Sequence, residues 1–322
     1  MANNNINKTK QFLINQNVSR SKYGNYAQCQ TGPCIKNHYN PTFNVGQIDS
    51  ICEVEILNYH VIDIVEDYCA HGFNTGLKDN WINPVLVCTV GHEFIASNFT
   101  KSENIRDEYF TLRTNMNSIT RNNNPFPIKN SECTYNRFVT VIRDDKMQLI
   151  EDLNNIYRFG LIIASPIFKP KLLSDSEMSS TDFIQTLATI ETIFQTAISG
   201  GHNVLLLTPF GNTEDEVPPE DIVEIYNMCI FKYGHRFKKI IFGVPLWCGE
   251  YLFDLFNKNI VRPIDIINSN DGNNGNDGND GNDGNNGNNR DMFEPVNKIK
   301  TVKRNLDKMK SLVDKIKKLE SN

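Results

Sequence analysis

Ile198-Ser199-Gly200-Gly201-His202-Asn203-Val204-Leu205-Leu206-Leu207 holds the end of one element and the start of the next. Upstream, Phe183, Leu187, Ile190, Phe194 and Ala197 recur at alternating spacings of four and three. That period puts them on one stripe of a helix, and Gly200-Gly201 is where such a helix stops. Downstream, Val204–Leu207 is too short for a helix and apolar at every position, as in a strand buried on both faces. Such strands belong to parallel sheets covered by helices on both sides.

The same alternation runs through the middle of the chain. Ile51–Leu57 has Cys52, Val54 and Ile56 on one face and Glu53 and Glu55 on the other. His60–His71 reads as a helix closed by Gly72, and Pro84–Val90 as an apolar strand. Ile105, Tyr109, Leu112 and Met116 form a helical stripe. Phe138–Ile142 and Leu161–Ala164 read as strands. Pro218-Pro219-Glu220-Asp221 opens a helix, since proline suits a first turn and acids complement its dipole. Ile240–Val244 is the last strand and Tyr251–Phe256 a short last helix. Strands alternating with helices imply an α/β fold, a three-layer α/β/α arrangement around a mostly parallel sheet. Ligands in such sheets bind beyond the carboxyl ends of the strands, which points to loops 91–104, 165–180 and 208–218.

Four regions follow from composition: an Asn-rich arm over 1–47, the α/β domain over 48–267, an Asn/Asp/Gly linker over 268–290, and a basic amphipathic helix over 291–322. The linker has Gly at every third position from Gly272 to Gly287 but no proline, so it is a flexible tether rather than a triple helix. Ile299, Val302, Leu306, Met309, Val313 and Ile316 form a heptad seam, and self-association through 299–316 is one expectation for it.

The net charge is −5, yet Lys298–Lys318 holds nine Lys/Arg against two Asp, leaving −12 on the rest. An acidic body argues against general nucleic-acid binding. No apolar run reaches the 18 or so residues of a membrane span, and the first ten residues lack a signal-peptide core. An intracellular, most simply cytoplasmic, protein with reduced cysteines is expected. Cys29, Cys34 and His38 do not have the spacing of a standard zinc finger, so neither metal nor cofactor is expected.

The ordered pieces also resemble a known family. Ile198–Leu207, continued by Thr208 to Val223, resembles the second half of the macrodomain of microbial-type poly(ADP-ribose) glycohydrolases: helix, Gly-His, strand, Gly-Cys-Gly loop, proline and helix. Ile240–Pro245 resembles the strand after it. Phe126-Pro127, Tyr135 and Val139–Asp144 resemble the family's segment ending in Arg-Asp. Arg106-Asp107-Glu108, followed by Arg113-Thr114-Asn115, resembles its Gln-Glu-Glu signature and the Arg-Ser/Thr-Asn beyond it.

This resemblance implies a macrodomain that takes ADP-ribose or an ADP-ribosylated protein. Glu108 then matches the general acid that protonates the leaving oxygen in glycoside cleavage, and Asp107 matches the neighbour that orients the ribose. The implied ligand contacts are Gly91 and Asn98 in the first loop and Phe210, Gly211 and Asn212 in the second. The departures lie in the phosphate loops. The interval 91–104 has one glycine where the family has three, and adds Glu93 and Glu103. The interval 208–216 keeps one glycine and adds Glu214, Asp215 and Glu216. Glycines let backbone N–H groups close on a diphosphate, and acids repel it. The first strand runs into Asn58-Tyr59-His60, without the acid that many macrodomains use for adenine. The expectation is a protein related to these glycohydrolases that binds ADP-ribose or a similar nucleotide with weak or lost glycohydrolase activity. The alternative is a catalytically dead interaction or scaffold protein acting through its C-terminal helix.

Overall fold

The computed structural model describes residues 12–13, 15–17, 34–46, 51–69, 83–91, 105–116, 127–174, 176–211 and 216–263, with 105–108 described by backbone alone. The expected linker, the C-terminal helix, Cys29, Asn98 and Asn212 lie outside these residues.

Seven strands form one sheet: β1 (Ile35–His38), β2 (Glu53–Leu57), β3 (Pro84–Thr89), β4 (Glu132–Val141), β5 (Tyr157–Ala164), β8 (Val204–Leu207) and β9 (Lys239–Gly243). β6 (Leu172–Ser174) and β7 (Glu177–Met178) pair as a separate small hairpin. The helices are α1 (Val61–Val65), α2 (Ile105–Arg113), α3 (Ser180–Ser199), α4 (Pro219–Tyr233) and α5 (Glu250–Asn259). The sheet order is β1-β4-β5-β3-β8-β9-β2. The run β5-β3-β8-β9-β2 is parallel throughout, and β4 joins it antiparallel. The mostly parallel α/β/α fold expected from the apolar strands is the fold observed.

The central strands feed two cores. Val85 and Val87 of β3, Leu205 and Leu207 of β8, and Ile240 and Phe242 of β9 pack with Ile190, Phe194, Tyr226 and Phe256 from α3, α4 and α5. Leu86, Leu206 and Ile241 face the other way, toward α1 and α2, and meet Val61, Ile62, Ile64, Phe110 and Leu112. The continuously apolar strand sequences are required because both faces are covered.

The edge strands needed more than periodicity. β1 lies within the segment read as an arm, yet it pairs with β4 from Ile35↔Tyr135 to His38↔Glu132. The sheet therefore begins upstream of residue 48. Earlier still, the Asn17 side chain is fully buried, donating to the Leu112 carbonyl and accepting from Arg143 Nε at 2.8 and 2.9 Å. β4 extends six residues further toward the N-terminus than the Phe138–Ile142 reading, through a bulge between Asn136 and Val139. The first helix is shorter than His60–His71: α1 ends at Val65 and continues as a single 3₁₀ turn over Glu66–Tyr68.

Candidate functional site at the carboxyl end of the third strand

The connection leaving β3 leads to α2 on one face of the sheet. Those leaving its neighbours β5 and β8 lead to α3 and α4 on the other. Neighbouring loops that part to opposite faces leave a crevice between them, the usual ligand position in an open α/β sheet. A small recess, open to solvent, lies there. It is lined by Leu86, Val87, Cys88 and Thr89 of β3, His60 and Val61 at the start of α1, Phe110 of α2, and Thr208 just past β8.

On one wall, His60 caps α1 by accepting from the Ile62 N–H at 3.3 Å, and its ring meets Tyr109 edge-on at 5.2 Å. Tyr109 belongs to a polar cluster that fixes α2. Arg113 is buried and donates to Asp63 of α1, to Tyr109 Oη at 3.1 Å and to the Arg143 carbonyl at 3.2 Å. Asn115 completes the join, accepting from the Thr140 N–H at 3.0 Å and donating its own N–H to the Thr140 carbonyl at 3.1 Å. The Arg113-Thr114-Asn115 stretch is thus a fastener between α2, α1 and β4.

Beyond Thr208, a clasp joins the loops that follow β5 and β8. Gly211 sits at φ +75°, and a Cβ there would lie 2.6 Å from Val217 and 2.8 Å from Pro166. Lys169 and Glu216, one from each loop, form an exposed ion pair at 3.0 Å. An exposed pair contributes little, so the Gly211 contact is the stronger restraint. Replacing Gly211 with Ala should cost about 2 kcal/mol, from left-handed backbone and overlap together. The check is the urea midpoint, and a variant as stable as the parent would show that the clasp yields freely.

The expected site residues separate on this frame. Gly91 is half-buried, one residue beyond the Val90 that follows β3. Gly211 lies four residues past the end of β8, so the two glycines fall beyond the ends of adjacent strands. Phe210 has no exposed surface and packs in the core with α3, α4 and α5. Its ring has no free face for a ligand, which corrects its reading as a ligand contact. Asp107 and Glu108 lie in the first half of α2, whose C-terminal end the Arg113 cluster holds, but their side chains are outside the described residues. Among the described residues, no group of His, Cys, Asp and Glu is placed to hold a metal. No helix among them is long and apolar enough to cross a membrane.

Thr208 was not read from the sequence as a site residue. It is 9% exposed, and its Oγ1 has no hydrogen-bond partner among the described residues. The signal was a polar, β-branched residue directly after an all-apolar strand.

No family model matches this chain, and no curated protein matches it either. Solved structures do share its fold. The crystal structure of poly(ADP-ribose) glycohydrolase from Thermomonospora curvata superposes with a TM-score of 0.59 at 12% identity, covering 78% of this chain and 99% of that one. The same enzyme bound to the inhibitor ADP-HPD superposes at 0.58 with 15% identity and the same coverage. The chain therefore has the macrodomain-like fold of a microbial glycohydrolase, on a sequence that has diverged widely from it.

Proposed function

We propose that this protein binds ADP-ribose or a similar nucleotide in the crevice at the carboxyl end of β3, with glycohydrolase activity weak or lost. The observation that carries this reading is the crevice itself. It opens at the point where the loops after β3 and β8 part to opposite faces, and residues from β3, α1, α2 and the end of β8 line it. The fold is shared with a glycohydrolase solved with an inhibitor bound. Weak chemistry is supported by the loop sequences. One glycine in 91–104 and three acids in 208–216 make a poor cradle for a diphosphate.

Calorimetric titration of the full chain with ADP-ribose should give a Kd below about 1 mM, the weak end of specific binding. Absence of heat at millimolar ligand would remove this reading and leave an interaction protein. Any hydrolysis of an ADP-ribosylated substrate by the same preparation should stop on Glu108→Gln, because Glu108 would be its proton donor. Unchanged turnover in that variant would place the chemistry elsewhere.

A further inference from the structure

Four large apolar side chains stand exposed at the carboxyl ends of β9 and β2. Leu246 and Trp247 lie on the 3₁₀ turn Leu246–Cys248 that follows β9, and Tyr251 lies in the first turn of α5. Tyr59 follows β2, and its neighbour Asn58 ties the two loops together by accepting from the Leu246 N–H at 2.7 Å. Single exposed apolar groups are ordinary on a protein surface, whereas a gathered set marks a place where something docks.

The border of this surface is acidic. Tyr251 Oη donates to Glu220 at the start of α4, and Glu177 and Glu224 gather with Glu220 around Asp221. Glu250 is exposed at the start of α5, and Asp254 one turn on is exposed and pairs with Lys258 at 3.2 Å. The surface therefore suits a partner with an apolar stripe flanked by cations.

The chain carries a segment of that description. The apolar seam over 299–316 is interleaved with the nine Lys/Arg of 298–318. About 35 residues separate the end of the described chain at 263 from 298, and a chain of that length spans roughly 30–35 Å. The ten residues of α5 cover only about 15 Å back to Tyr251, so the segment reaches the surface on its own molecule. A tether of this reach holds it at an effective concentration on the order of 1 mM, far above that of a second copy in dilute solution. Pairing with a copy has the weaker claim on the seam, because about two and a half heptads are short for a coiled coil.

We infer that the surface formed by Tyr59, Leu246, Trp247 and Tyr251 is the docking face for the basic segment 298–318 of the same chain, with the seam against the aromatic rings and the lysines toward the acidic border. The inference is independent of the ADP-ribose reading above.

The test is acrylamide quenching of tryptophan fluorescence in the full chain, followed on dilution and paired with light scattering. The sequence has two tryptophans, Trp81 and Trp247, so subtracting the signal of a matched Trp247→Phe protein leaves that of Trp247. Leu306→Asp with Val313→Asp breaks the seam and should raise the quenching of Trp247 about 2-fold, toward that of a ring with 58% of its surface exposed. Leu246→Ser with Tyr251→Ser changes only exposed side chains and should do the same. The parent should be monomeric, with quenching that does not change on dilution. Equal quenching in the parent and the seam variant would overturn the inference, because the surface would then stand open in the full chain. Quenching that rises on dilution, or a dimeric parent, would overturn it by putting a second copy there. A rise in the seam variant that Leu246→Ser with Tyr251→Ser does not reproduce would overturn it by seating the segment elsewhere.

Discussion

Arg113→Met should lower the stability of this domain by about 3–4 kcal/mol, the cost of breaking a buried, multiply bonded cation. Arg113 is 2% exposed and reaches three acceptors on separate pieces of chain: Asp63 of α1, Tyr109 within its own helix, and the Arg143 carbonyl beyond β4. Methionine fills a similar volume and makes none of these bonds. The Arg143 carbonyl would lose its guanidinium donor, and Asp63 would lose its cation. Arg113→Lys should rescue little. One ammonium cannot reproduce a planar fork that donates from Nε and Nη1 in different directions. Urea denaturation of the parent and both variants measures this, with the midpoint falling at constant slope. A midpoint for Arg113→Met within about 1 kcal/mol of the parent would show that the network is idle. The effect should extend to the site, since the cluster holds the helix that carries Asp107 and Glu108. Any hydrolytic activity should therefore fall in Arg113→Lys even where the fold survives.

The elements legible in the sequence are those whose burial is uniform. β3, β8 and β9 are covered on both faces, so apolarity alone marks them. α3 carries a clean stripe for twenty residues, and α4 announces itself with Pro219 and two acids. β4 defeats the same reading for a definable reason. Cys133 and Tyr135 belong with the core under α3, whereas Val139 and Val141 belong with the core under α1 and α2, although all four share parity. The bulge at Asn136, where the side chain accepts from the Phe138 N–H at 3.0 Å, reverses the strand's two faces. A period-two reading sees only the half after the bulge. β1 has no apolar pattern to read, because Ile-Lys-Asn-His is largely exposed and held by backbone pairing with β4.

At the site, residue types are legible in the sequence, and the groups that fix the elements around them are not. Glycines and acids are visible as residue types, which is why Gly91, Gly211, Asp107 and Glu108 stood out. Partners distant in sequence are not visible. Asp63 meets Arg113 fifty residues away, and Asn17 meets Arg143 across 126. Phe210 was misplaced because an aromatic beside a glycine loop reads alike whether it turns toward a ligand or into the core.

His202 carries the second large expectation, a dependence of stability on pH. Its ring bridges two parts of the sheet, with Nδ1 3.2 Å from the Asn83 carbonyl and Nε2 2.8 Å from Tyr135 Oη. The carbonyl only accepts, so Nδ1 carries the proton and Nε2 accepts from the tyrosine. A Cβ on Gly160 would lie 2.4 Å from the ring, so that glycine leaves the space it occupies. Burial pushes the imidazole down from 6.5 to about 4, outweighing the bond to Asn83. The fold thus favours the neutral ring, and the associated stability is present above pH 6.5 and lost as pH falls toward 4. By pH 5 the loss should be about 2 kcal/mol. Asp221 works in the opposite sense. Burial first, and then the neighbouring Glu224, Glu177 and Glu220, raise its carboxyl from 3.8 to about 6, against the bond from the Met178 N–H. Its protonated form is favoured in the fold, so its contribution is full below pH 3.8 and lost as pH rises through 6, returning about 1 kcal/mol between pH 7 and 5. The two partly offset in the parent protein, and single variants separate them. His202→Gln keeps a donor for Asn83 and an acceptor for Tyr135 but cannot titrate, so between pH 7 and 5 it should gain about 2 kcal/mol relative to the parent. Asp221→Asn should lose about 1 kcal/mol relative to the parent over the same interval. Urea midpoints at the two pH values decide it. Parallel pH dependence in the parent and His202→Gln would mean that the ring titrates freely, and that the Gly-His pair ending the long helix is not the buried pin its geometry describes.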